Sequence, residues 1–242
     1  MNLTQFVAAA SEALVLIGEY PARWLGVTLL FLIAVEALMF IPYVGFVLKL
    51  AVAGVVSAQF VALFGAAAAG QPPSPLGLLG AFSLPAGSQA VLVAAALLPF
   101  AVAVLFLYWK VGPSVLQFFF GNIVKAESPP ADAFAQSKYL MYLVALPFTL
   151  LAGAVVIKGL SGVAAVSAAV AAVVVNWLPV LLITLLAFAF EWLSVQLPSL
   201  LPKPVAVATS ITLLVIYLVW SVAITYTVSA RAFAGVANAN AA

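Results

Sequence analysis

The chain has 242 residues, 67% hydrophobic and 6% charged, with a formal net charge of +2. A soluble globular domain carries about 25% charged residues, so no water-facing surface can be built from this composition and most of the chain must face lipid. The small net charge argues against nucleic acid as a partner, and the absence of His and Cys excludes disulfides, thiolate or imidazole metal sites, His-ligated haem, iron–sulfur clusters and Ser-His or Cys-His catalysis.

Several apolar runs exceed the ~18 residues that cross a bilayer as helix. In lipid every backbone amide must be satisfied locally, which predicts helices. The expected fold is an all-α polytopic transmembrane bundle of about six spans. The expected organisation is an N-terminal amphipathic interfacial helix (1–23), one transmembrane domain (24–230) and a disordered tail (231–242).

The first twenty residues lack the basic region of a secretory signal. Leu3, Phe6, Val7, Ala10, Leu14 and Ile17 are expected on one helical face, with Gln5, Glu12 and Glu19 on another. This reads as a helix lying in the interface or packed on the bundle rim. A first span is expected over Trp24–Ile41, with Tyr20 and Trp24 as interfacial aromatics. "IPYVG" (Ile41 to Gly45) interrupts it, and a second span follows over Val44–Phe64. Pro42 fixes φ and Gly45 accepts positive φ, which suits a chain reversal. In the resulting hairpin Glu36 and Lys49 reach similar depth, roughly 6–9 Å inside the turn. The expectation is that they meet as a pair tying the two spans. The competing readings are a snorkelling Lys49 beside a neutral Glu36, or a proton or substrate site at Glu36.

Gly65 to Ser88 is a Pro/Gly-rich loop with a short amphipathic element at Leu76 to Phe82. Val91 to Val124 holds 34 residues with "YWKVGP" inside it. One straight helix of that length would be about 51 Å, so Gly112 and Pro113 are candidate breaks. A helix leaving the membrane, a pair of short spans, or a span followed by an interfacial helix all remain open. The most polar segment is "KAESPPADAFAQSK" (Lys125 to Lys138), with Asp132 as candidate N-cap. Glu127 and Asp132 sit in what looks like a solvated loop, and no phosphate-cradling loop or catalytic carboxylate pair is present. This loop and the Pro-rich one before it share a small-residue, Pro-Pro, amphipathic order, which fits either duplication or two loops with one task.

Tyr139 to Ile157 reads as an uninterrupted span and "KGLSG" (Lys158 to Gly162) as a tight turn. Gly162 to Val175 is rich in small residues and should pack closely on a neighbour, inside the bundle or in another protein. Asn176 and Pro179 interrupt a 31-residue apolar run, Val163 to Leu193. Pro179 frees a carbonyl near Val175, which Asn176 can satisfy; alternatively the break is a binding site of the kind transporters use, with Lys110, Gly112 and Pro113 as counterpart. Glu191 and Trp192 read as the interfacial end of a span, and Tyr108, Trp109, Tyr139 and Tyr142 as belt residues. Val205 to Tyr226 is the last span. Hairpins at the two interrupted segments would raise the count to seven or eight.

"LMFIPYVGFVLKLAVAGVVSAQFVALFGAAAAGQPPSPLGLLGAF" and "YWKVGPSVLQFFFGNIVKAESPPADAFAQSKYL" together cover about a third of the chain. They resemble a family of small polytopic bacterial inner-membrane proteins of unknown function, which show an "IPxxG" break between two spans and an "SPxxAFxxS"-type loop before a later one. Basic residues common in that family's loops are missing from Gln71 to Phe82. The resemblance implies a bacterial inner membrane and about six spans, and carries over no catalytic or ligand residues.

Two functions follow. One is a non-catalytic integral membrane protein, an accessory or structural subunit packing against a larger membrane complex, with the lipid bilayer and other membrane proteins as partners and no cofactor. The other is a small permease or lipid/lipophile carrier using Glu36, Lys49 and Asn176 near a mid-membrane cavity. An intramembrane enzyme fits least, because only Glu36 and Glu191 are available as acids within apolar runs.

Overall fold

A computed structural model describes residues 1–120 and 129–239. Among these the fold is entirely helical, with ten α-helices and two 3-10 segments. Six helical segments are long and apolar enough to cross a membrane: Pro21–Leu38, Gly45–Ala68, Ala86–Val111, Ala131–Val156, Trp177–Ser199 and Lys203–Ala234. The protein is thus a multi-pass helical membrane bundle, and among the described residues neither interrupted run becomes a pair of spans.

Helix α1 (Leu3–Glu19) starts at a capping box. The Asn2 side chain accepts from the Gln5 backbone N–H, and the Gln5 side chain accepts from the Asn2 N–H, both at 2.9 Å. Its buried face is Phe6, Ala9, Ala13 and Leu16, while Leu3, Val7 and Leu14 point outward. The expected face is therefore rotated. Two alanines let α1 approach α10 (Lys203–Ala239) closely, and the larger aliphatics are left for lipid. Thr227 Oγ1 donates to the Ala9 carbonyl (3.0 Å), and Arg231 donates to the Gln5 carbonyl and to Glu12, each at 2.8 Å. Residues 231–239, expected to be disordered, continue α10. The ion pair and burial of Ala232 and Phe233 reward helix where composition alone suggested a frayed tail.

Trp24 opens α2 (Pro21–Leu38) and is not a belt residue. It is completely buried, stacks on Phe64 of α3 (Gly45–Ala68) at 3.8 Å between ring centroids, and donates its indole N–H to the Leu16 carbonyl (3.1 Å). One side chain thereby fixes α1, α2 and α3 together. Phe31 meets Phe60 edge-on further along the same pair. The connection between α2 and α3 departs from expectation in one residue. Tyr43, not Gly45, takes the left-handed conformation, with φ of 64°. Gly45 is instead the first residue of α3, and a Cβ there would collide with the Leu38 carbonyl.

The amphipathic element of the following loop is a 3-10 helix, Pro75–Ser83, laid on α3 with Leu78 and Ala81 buried. The described part of the later Pro-Pro loop, from Pro129, leads directly into a long helix instead. Helix α4 (Ala86–Val111) is a single span that keeps Pro99 in its interior. It stops at Gly112 (φ 89°), and the short α5 (Ser114–Phe120) follows. Phe119 of α5 returns against Phe46 and Phe100. Of the readings open for this run, a span followed by a short helix fits the described residues.

Lys125, Glu127 and Ser128 lie outside the described residues. Helix α6 (Ala131–Ala145) is capped by Pro130, so Asp132 sits in the first turn and is not the N-cap. An acid there still complements the helix dipole. The span expected to be uninterrupted is broken: α6 passes into a 3-10 turn at Leu146–Phe148 before α7 (Leu151–Val156). Pro147 has no N–H to give to Leu143, and the chain tightens to i→i+3 bonding there, Thr149 N–H donating to the Leu146 carbonyl at 3.2 Å. Gly159 and Gly162 take positive φ in the turn that follows, which leads into α8 (Gly162–Val175). The small face of α8 (Ala165, Ala169, Ala172) is buried within this chain, against α4 and α7. Helix α9 (Trp177–Ser199) instead lies mainly along α10, so the chain bends at Asn176 from one neighbour to another.

Helices here touch where glycine permits it. An ideal Cβ at Gly54 of α3 would lie 2.7 Å from the Leu92 carbonyl of α4. Gly54→Val is expected to cost about 1–3 kcal/mol through overpacking, read as a lower unfolding midpoint in detergent. Gly26→Ala, where nothing lies within 4 Å of the added carbon, should leave that midpoint unchanged or raised.

Candidate functional site

The predicted polar residues do not converge. Glu36 and Lys49 do meet across the "IPYVG" turn, with Nζ 2.5 Å from the carboxylate. The pair faces outward: the Glu36 side chain is 54% exposed and that of Lys49 27%. It lines none of the described cavities. It ties α2 to α3 at the end opposite Trp24.

Asn176 is buried and sits at the bend between α8 and α9. Its amide donates to the Ala172 carbonyl (2.9 Å), not to Val175, and its oxygen accepts from the Met1 ammonium (2.9 Å). The break precedes Pro179 by three residues. Pro179 then falls in the first turn of α9, where its missing N–H interrupts nothing. Lys110 lies over the rings of Trp109 (5.1 Å) and Phe106 (6.0 Å) at the end of α4. The Lys110–Gly112–Pro113 break, counterpart of Asn176 in the transporter-like reading, ends α4, and none of the described cavities is lined by both breaks. Pro42, Gly45, Gly112 and Pro113 all lie at helix boundaries, as expected.

The polar constellation that does form involves residues read as loop and belt. Lys138 on α6 is ion-paired to Glu191 on α9. Tyr142, one turn beyond Lys138, donates its hydroxyl to the other oxygen of the same carboxylate (2.9 Å). The Lys138 ammonium also lies 5.2 Å from the Phe134 ring. Glu191 is thus held on both oxygens by one face of α6. A pairing signal existed in the sequence. Lys138 and Tyr142 have i, i+4 spacing, and Glu191 is the sole acid of its helix. Placed at the end of a loop-to-helix segment, Lys138 shows no partner until α9 packs on α6.

Besides a small hollow of about 150 Å³ lined by Tyr142 and Glu191 themselves, two larger cavities adjoin this triad. One, about 350 Å³, is lined by Phe46, Phe100, Phe118, Phe119 and Phe134, with Lys138 on its wall. The other, about 500 Å³, lies between α3, α4, α6–α7 and α10 and includes Tyr142. A third hollow of about 470 Å³ between α1–α2 and the α9–α10 pair is lined by Trp24, Phe190, Val219 and Trp220 among other apolar groups. No cluster of three or more Asp or Glu residues able to hold a metal occurs among the described residues.

Comparison of the chain with protein-family models, with curated proteins and with solved structures found no match.

Lys138→Met leaves the Glu191 carboxylate without its cation, and is expected to lower stability by about 1–3 kcal/mol. Adding Glu191→Leu should recover most of that loss, because an apolar pair replaces an ion pair at little cost. Unfolding midpoints of the two single variants and the double variant form the test. A double variant destabilised by the sum of the two single effects would show that the pair contributes nothing specific.

Proposed function

We propose that this chain is a non-catalytic integral membrane protein, an accessory or structural subunit that packs against a larger complex in a bacterial inner membrane. The observation that carries this reading is the α9–α10 pair. Helix α9 lies along α10 and has little contact with the rest of the bundle. Its outward stripe, Trp177, Leu181, Leu185 and Trp192, is exposed, as are Val207, Ile211 and Leu214 on α10. Five of the charges carried on these helices support the same reading. Glu36, Lys49, Lys138, Glu191 and Arg231 each bind an opposite charge of this chain, so they act as ties between helices. The location in a bacterial inner membrane rests on the family resemblance. The bilayer and other membrane proteins are then the partners, and neither a cofactor nor nucleic acid is required.

The carrier reading gains less support, since Glu36, Lys49 and Asn176 border no common cavity. A photo-crosslinking residue at Leu181, Leu185 or Ile211, with Leu105 on α4 as control, separates the two. The expected result is one recurrent protein adduct at the three hairpin positions, absent at Leu105, that co-purifies stoichiometrically in mild detergent. Lipid adducts alone, with the protein purifying as a monomer or homo-oligomer, would overturn the subunit reading.

A further inference from the structure

The 500 Å³ cavity is lined by hydroxyls that donate away from it. Its polar lining is Ser57, Tyr142, Thr149, Ser221 and Thr225. Four of these hydroxyls donate into their own helices: Ser57 to the Gly54 carbonyl (2.7 Å), Thr149 to Leu146 (2.9 Å), Ser221 to Leu218 (3.1 Å) and Thr225 to Ser221 (2.7 Å). Tyr142 donates to Glu191. Each hydroxyl has one proton and two lone pairs. All five protons are committed, and the lone pairs are what remains. Pro99, also in the wall, has no N–H to give to the carbonyl of Ala95, another wall residue. Among the described residues, then, the lining side chains offer acceptors and no free donor.

An occupant that satisfies this wall must bring several donors, since acceptors kept from water without partners are costly. A neutral alcohol brings one. A primary ammonium brings three and a positive charge, which suits a ring of oxygen dipoles. Tyr142 and Phe148 add aromatic rings to the same wall. Between the hydroxyls the lining is aliphatic, from Leu50, Val61 and Leu92, and this accepts a short alkyl tail. The wall itself holds no carboxylate. Glu191, behind Tyr142, is already neutralised by Lys138.

We infer that this cavity is a binding site for a short primary alkylammonium. Its N–H groups meet the hydroxyl oxygens of α3, α6, α10 and the turn at Thr149, and its alkyl tail lies on the aliphatic wall. The site is independent of whether the α9–α10 pair has a protein partner.

The test is the unfolding midpoint of the purified protein titrated with n-propylammonium chloride. Tetramethylammonium chloride (a cation without N–H), 1-propanol (a single donor without charge) and sodium chloride at matched ionic strength are the comparisons. A saturable rise with propylammonium alone is expected. Thr149→Val combined with Thr225→Val, which keeps shape and removes two acceptors, should weaken apparent affinity about tenfold. If that double variant does not fold, Ser57→Ala and Ser221→Ala singly should each weaken it about threefold. The proposal is overturned by the absence of a saturable rise, by an equal rise with any comparison solute, or by folded variants that keep the parent affinity.

Discussion

A chain surrounded by hydrocarbon gains nothing by hiding its leucines, and the fold has to be held by what lipid cannot supply. Two kinds of contact meet that need: backbones brought close by small residues, and polar groups that find partners only in one another. The close approaches are Gly54 against Leu92, Gly153 against Ser229, and the alanines of α1 and α8 against their neighbours. Large side chains such as Leu30, Ile33 and Leu105 are left outside. Bulky groups are still buried where helices meet, among them Phe64, Leu107, Leu150 and Ile224. Trp24 is buried as well, and its indole N–H finds the acceptor it needs at Leu16.

The ion pairs obey the same constraint at different depths in the bundle. Glu36–Lys49 sits beside a turn and half faces outward, so it joins two helices already joined by the chain. Lys138–Glu191 joins helices separated by fifty-three positions and carries Tyr142 with it. The second therefore defines architecture more strongly than the first. It holds α9 to α6, although α9 otherwise lies mainly along α10. It also orients Tyr142 so that the hydroxyl proton points toward Glu191 and the oxygen is left toward the cavity. A structural tie thus sets the hydrogen-bonding character of a hollow next to it.

Much of the architecture was legible in the sequence because it depends on local pattern. Apolar run length located the six spans, and Pro42, Gly112 and Pro113 marked real ends. The Glu36–Lys49 pair was legible because a tight turn makes its two partners near neighbours. What failed depended on the far side of a contact. Trp24 looks like any interfacial tryptophan until Phe64 is placed under it. Lys138 and Tyr142 look like loop and belt until Glu191 arrives from another helix. The face that α1 buries is set by α10, whose alanine-sized demand no periodicity announces. Pro147 was overlooked because the apolar run continues through it, and composition does not register a missing N–H. The candidate site suffered most, since its five hydroxyls come from four parts of the chain and each alone is an ordinary helix-packing group.

The clasp between α1 and α10 has a temporal side. Residues 5–12 are bound by residues 227–231, through Gln5, Ala9 and Glu12 on one element and Thr227 and Arg231 on the other. A ribosome adding roughly 5–20 residues per second needs about 10–40 s between making the first set and the second. Throughout that interval α1 exists with its alanine face uncovered and its acid unpaired. Membrane insertion must carry this helix as an unfinished surface, and closure onto α10 becomes the step that distinguishes a completed chain from an interrupted one.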